Sequence, residues 1–156
     1  MREKIVLILS TIVLLVCGAF AGQPSDKVIT LERTMCFGTC PVYKLTIYGD
    51  GTIAYEGKKH VKEQGNRTAK ISEDKVRELI SAFERIGYFK LRDSYVARGM
   101  TDMPSAITSI TIGSRTKTVR HYYGDKSAPK ELKELEKMID VISGSSQWIK
   151  GLPAVE

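Results

Sequence analysis

The amino-acid sequence predicts an α+β domain: a mainly antiparallel sheet of about five to seven strands with two helices packed on one face. Three observations carry that expectation. Two runs that alternate with a period of two flank Gly49-Asp50-Gly51, and pairing them puts their apolar residues on one face. Two stretches with helical spacing, 73–86 and 130–143, are each bounded by capping residues. The connections are too short for a parallel βαβ series, which leaves hairpins with the helices covering one face.

The elements follow in order. Val28 to Thr34 is β-branched and alternating, with Ile29 and Leu31 on one face. Val42 to Tyr48 alternates more clearly, with Tyr43, Leu45 and Ile47 on one side, and Thr52 to Gly57 returns with Ile53 and Tyr55. Closing the three-residue turn sets Ile47 opposite Ile53 and Leu45 opposite Tyr55, so the register checks itself. Lys58 to Gln64 is polar and reads as an edge strand, and Gly65-Asn66 turns the chain into Arg67 to Ile71. Ser72 is placed to cap a helix whose first turn carries Glu73 and Asp74, where the helix dipole favours anions. Val76, Leu79, Ile80, Phe83 and Ile86 form its apolar stripe, and Gly87 closes it. A second hairpin spans Ala106–Ile112 and Lys117–Tyr122 around Gly113-Ser114-Arg115-Thr116. The second helix runs from about Lys130 to Ser143, started by Pro129 and ended by Gly144, with Leu132, Leu135, Met138, Ile139 and Ile142 inward. Its mixed run Lys-Glu-Leu-Lys-Glu-Leu-Glu-Lys reads as a solvated face. Trp148 and Ile149 are apolar enough to dock the tail.

With 156 residues, 42% hydrophobic and 27% charged, the chain suits one domain. Regular apolar spacing excludes disorder, and the lack of apolar runs beyond the N-terminus excludes a multi-span membrane protein. At that N-terminus Arg2 and Lys4 precede an apolar core, and Ala19-Phe20-Ala21 supplies the small residues that a signal peptidase reads. The expected organisation is a secretory signal over 1–21 cut between Ala21 and Gly22, a linker over 22–27, one domain over 28–150 and a tail over 151–156. An uncleaved anchor or a lipid on Cys17 are the rival fates of the leader. Cleavage removes Arg2, Lys4 and Glu3, so the mature chain is one unit less positive than the full chain at +6. Acids interleave with the bases, so no basic patch of the kind nucleic acid needs is formed. The expected location is periplasmic or extracellular, and membrane contact is expected only through an uncleaved or lipidated leader.

Few residues offer chemistry. Removing Cys17 leaves Cys36-Phe37-Gly38-Thr39-Cys40, and an even pair in an exported domain is read first as a disulfide. Fully extended, four steps would part the Cα atoms by about 13 Å, so the bridge requires the chain to double back, which Gly38 permits. Closing so short a loop contributes about 2 kcal/mol on the chain-entropy account. Thiol exchange and soft-metal binding by Cys36 and Cys40 remain open, although the helix N-terminus that lowers a thiol pKa in redox proteins is replaced by a strand after Pro41. His121 alternates with Val119 and reads as a satisfied core histidine, and His60 as a solvated one. No G-x-S-x-G, Walker A, G-x-G-x-x-G or H-E-x-x-H is present, so no catalytic residue, cofactor or metal site is assigned. Arg92 to Ser105 lacks periodicity, and loops that long tend to be functional or mobile. Within it Tyr95, Arg98, Thr101 and Asp102 could bind a polar ligand.

Arg33-Thr34-Met35-Cys36-Phe37-Gly38-Thr39-Cys40-Pro41-Val42-Tyr43, followed by Tyr48-Gly49-Asp50-Gly51-Thr52, resembles domain of unknown function 6438, a bacterial family. The similarity continues through Tyr55-Glu56-Gly57, Phe89-Lys90-Leu91, Thr101-Asp102-Met103-Pro104, the second hairpin and the second helix, roughly residues 28–143. The resemblance implies an exported or membrane-attached module and brings no activity, cofactor or catalytic residue with it. Met35 stands where the family commonly has a small residue or Pro. The expected function is a non-enzymatic module that binds a protein or small ligand and is stapled by Cys36–Cys40. The alternatives are a thiol-redox or metal-handling protein using the same cysteines and, less favoured, a hydrolase with its site in the Arg92–Ser105 loop.

Overall fold

A computed structural model describes residues 27–96, Gly99 and 102–149. Seven strands form one sheet: β1 (Lys27–Arg33), β2 (Val42–Tyr48), β3 (Thr52–Lys59), β4 (Gly65–Lys70), β5 (Ser94–Tyr95), β6 (Ser105–Ile112) and β7 (Arg115–Tyr122). Their order is β4-β3-β2-β1-β6-β7-β5, and every neighbouring pair is antiparallel except β5 with β7. Helices α1 (Glu73–Arg85) and α2 (Lys130–Ser143) cover one face, so the α+β expectation holds.

The hairpin register is the one the alternation requires, with Ile47 facing Ile53 and Leu45 facing Tyr55. Only Gly51 of the turn glycines takes a left-handed φ (84°), and a Cβ there would sit 2.1 Å from the Ile71 carbonyl oxygen. That close approach exists because Ile71 donates its N–H to Gly51 O, starting the chain into α1. Ser72 caps α1 by accepting from Lys75 N, and Pro129 and Gly144 bound α2 as expected. The inward residues Ile29, Leu31, Leu45, Ile47, Ile53, Ile110 and Val119 meet Val76, Leu79 and Phe83 of α1 and Leu132, Leu135 and Ile139 of α2. Trp148 and Ile149 complete the core, with the indole stacked 4.8 Å from the Tyr55 ring.

Four expectations need correction. Lys58 to Gln64 is no separate strand: β3 runs on to Lys59, a bulge beside Val42 absorbs the extra residue, and β4 is the edge. A Cβ on Gly57 would lie 2.1 Å from Glu63 O, so the following connection folds tightly back over the strand. The second turn is two residues, with Ile112 facing Arg115 across Gly113-Ser114. The stretch from Arg92 is partly ordered by β5, which pairs Ser94 with Arg120 and Tyr95 with His121. Finally, the charged run at the start of α2 is not wholly solvated, because Glu136 is fully buried, as is Asp140 one turn later.

Candidate functional site

The site is built where β1 and β2 enter the Cys36–Cys40 loop. Arg33 and Tyr43 face each other as the last ladder pair of these strands, and both side chains point to the helical face. Across from them α2 presents Glu136 and Asp140, four residues apart and so on one side of the helix. Arg33 Nη2 donates to Asp140 Oδ2 (2.7 Å), while the Tyr43 hydroxyl (2.7 Å) and Ser145 Oγ (2.8 Å) donate to Oδ1. Arg33 Nη1 lies 3.7 Å from Glu136 Oε2, which also accepts from the Tyr123 hydroxyl (2.7 Å). Glu136 Oε1 is 2.8 Å from His121 Nδ1, so His121 is the satisfied core histidine its spacing implied.

The electrostatics follow from burial. Burial alone would lower the Arg33 pKa, but the charge and hydrogen bond of Asp140, joined by Glu136, hold it above its ordinary value. The Tyr43 phenol is pushed above its usual range first by burial and then by the Asp140 charge. Both strands that carry the loop are thus bonded to one carboxylate, which fixes the loop's base to α2.

Above this base the chain doubles back. Cys36 and Cys40 form a disulfide with Cα atoms 5.7 Å apart. The next residues are β2, so no helix N-terminus faces the sulfurs. The loop is also held from β6 and the residues just before it: Thr34 N donates to Ser105 O (3.0 Å), Thr34 Oγ1 accepts from Ser105 N (2.8 Å), and Phe37 N donates to Asp102 O (3.1 Å). Met103 N in turn donates to the Tyr122 hydroxyl (3.2 Å). With its backbone so anchored, the loop turns the Phe37 ring outward at 91% exposure, beside Met35 at 61% and Met103 at 48%.

Of the residues the sequence suggested, the structure brings Cys36, Cys40 and Asp102 together at this end. Tyr95 is buried, with its ring under the Arg92 guanidinium at 4.4 Å, so it serves to hold β5 in place. Arg98, Thr101, Ala21 and Gly22 lie outside the described residues. Glu136 and Asp140 were missed. Their signal was present: positions 132, 135, 136, 139, 140 and 143 continue one helical stripe, so two acids fall within the apolar series. Among the described residues no three His, Cys, Asp or Glu side chains gather as a metal ion would require, and no helix is long and apolar enough to cross a membrane.

A seven-stranded α+β domain with a disulfide-closed loop on a buried ionic base defines the class. The chain belongs to the family described as Domain of unknown function (DUF6438), whose profile matches residues 27–143. A comparison with curated proteins finds no match.

Proposed function

We propose that this chain is an exported, non-enzymatic binding module whose contact element is the Cys36–Cys40 loop. The observation that carries the reading is Phe37, a large apolar ring 91% exposed on a loop closed by a disulfide and tied by backbone bonds to its neighbours. Exposing such a ring forgoes roughly 1.5–3 kcal/mol of burial, and fixing it in advance lowers the entropy cost of binding. The reactive side chains support the non-enzymatic part. His121, Glu136, Asp140 and Ser145 are each 5% exposed or less; His121 is bonded to Glu136, Ser145 to Asp140, and the remaining carboxylate oxygens to Tyr123 and Arg33. The leader, with its basic start and Ala19-Phe20-Ala21, supports export. The redox alternative loses ground because a strand and not a helix follows Pro41.

The test is a photo-crosslinking amino acid placed at Phe37 and, separately, at Val141, an exposed apolar residue on α2. Irradiation of intact cells is expected to give a discrete adduct from position 37 and none from position 141. Equal labelling at the two positions, or none at 37, would remove the loop as the contact element.

A further inference from the structure

Five large hydrophobic side chains are exposed among the described residues: Met35, Phe37, Val96, Met103 and Val141. The first four share one end of the sheet. Met35 and Phe37 follow the end of β1, Met103 precedes β6, and Val96 leaves β5, which runs parallel to β7 toward its Tyr122 end. They stand on the two loops that join β1 to β2 and β5 to β6, and together they make this end of the sheet an exposed apolar tip. An exposed tip of Phe and Met is suited to entering a soft apolar medium, and its neighbours indicate which one. β3 ends at the same end of the sheet, since Val42 pairs with Lys59. Its last two residues, Lys58 and Lys59, and Lys62 just beyond it are exposed. Lys58 lies 4.0 Å from Glu56 and Lys62 Nζ 3.5 Å from the Gln147 carbonyl, while Glu63, the acid next to Lys62, is held by Arg67 at 2.7 Å. Asp102 sits beside Phe37 and Asp125 follows β7, so the lysines outnumber the acids on the β3 side. An apolar tip flanked by lysines matches the chemistry of a bilayer with anionic headgroups, where acyl chains take the rings and phosphates take the ammonium groups.

We infer that this tip inserts into an anionic lipid surface, with Phe37, Met35 and Met103 entering the headgroup boundary and Lys58, Lys59 and Lys62 pairing with phosphates. The inference rests on the loop being the contact element and adds the identity of its partner. It concerns the folded domain and is separate from whatever the leader does. Because Phe37 is almost fully exposed, its replacement leaves the fold intact, so a loss of binding reads on contact alone.

The experiment is vesicle co-sedimentation with protein recovered from cells expressing the full chain. The vesicles are equal parts phosphatidylglycerol and phosphatidylcholine, or phosphatidylcholine alone, in about 0.1 M salt. Wild type is expected to favour the anionic vesicles. Phe37→Ser should bind about tenfold more weakly or worse, and Lys58→Ala with Lys59→Ala roughly 25-fold more weakly. Val141→Ser should match wild type. Absence of wild-type binding, or Phe37→Ser binding as wild type does, overturns the lipid assignment. If a crosslinker at position 37 then still captures one protein, the contact-loop reading stands and the occupant is that protein's apolar pocket. If it captures nothing, both readings fall together.

Discussion

Removing the Asp140 carboxylate should unfasten the base of the loop more than any other single change outside the apolar core. In Asp140→Ala, Arg33 loses its 2.7 Å partner and keeps only Glu136 at 3.7 Å, while the Tyr43 and Ser145 hydroxyls lose an acceptor inside the protein. Breaking a buried ion pair from one side costs about 3–5 kcal/mol, because the remaining charge stays buried without compensation. Unfolding entropy of about 2.1 cal/mol/K per residue over roughly 120 residues converts this to a fall in Tm of about 12–20 °C. Asp140→Asn keeps an acceptor for Tyr43 and loses only the charge, so its cost should be about 2–3 kcal/mol. The assay is urea denaturation followed by circular dichroism, with the disulfide intact. The pairwise nature of the effect is checked by Arg33→Met with Asp140→Leu, which should be less destabilised than Asp140→Ala alone. An Asp140→Ala variant within about 1 kcal/mol of wild type would mean the carboxylate is solvated and does not clamp the loop.

Two further outcomes follow from the same structure. Ile47→Ala removes a fully buried side chain at the centre of the β2–β3 hairpin and should cost about 2–5 kcal/mol in a denaturant melt; a loss under about 0.5 kcal/mol would mean this face of the sheet is open to solvent. The buried phenols Tyr43 and Tyr88 have pKa values raised from the ordinary 10.0, so the folded state holds protons that the unfolded chain gives up. Stability should therefore be at its full value below about pH 10 and fall above it by up to about 1.4 kcal/mol per pH unit per tyrosine, and Tyr43→Phe should flatten that slope when unfolding is measured from pH 9 to 11.

What the sequence disclosed depended on how far apart the cooperating residues lie. The β2–β3 hairpin was legible because alternation and a three-residue turn constrain each other within 18 residues, Val42 to Lys59. The helix limits were legible because Ser72, Pro129 and Gly144 are local signals. Strand β5 was not, since two residues cannot show a period and Tyr95 becomes a strand residue only beside His121 on β7. The buried base of the loop was hidden for a related reason. Asp140 meets Arg33 across 107 positions and Tyr43 across 97, so nothing near it in the chain marks it as paired. Glu136 was further disguised by alternating charges, which on an exposed helix face mean solvation. Phe37 could be placed in a tight loop from Gly38 and the two cysteines, but its outward direction is set by the bonds of Thr34 and Phe37 to Ser105 and Asp102.

The measurement that bears most directly on the central claim is the reduction potential of Cys36–Cys40 in the folded protein, read by equilibration with a dithiol buffer and alkylation. A bridge that staples a contact loop, on strands bonded to Asp140 and with no helix N-terminus to stabilise a thiolate, should resist reduction, with a potential below about −300 mV. A value between about −120 and −270 mV, the range of disulfide oxidoreductases, would contradict the account and make thiol exchange the function of the loop.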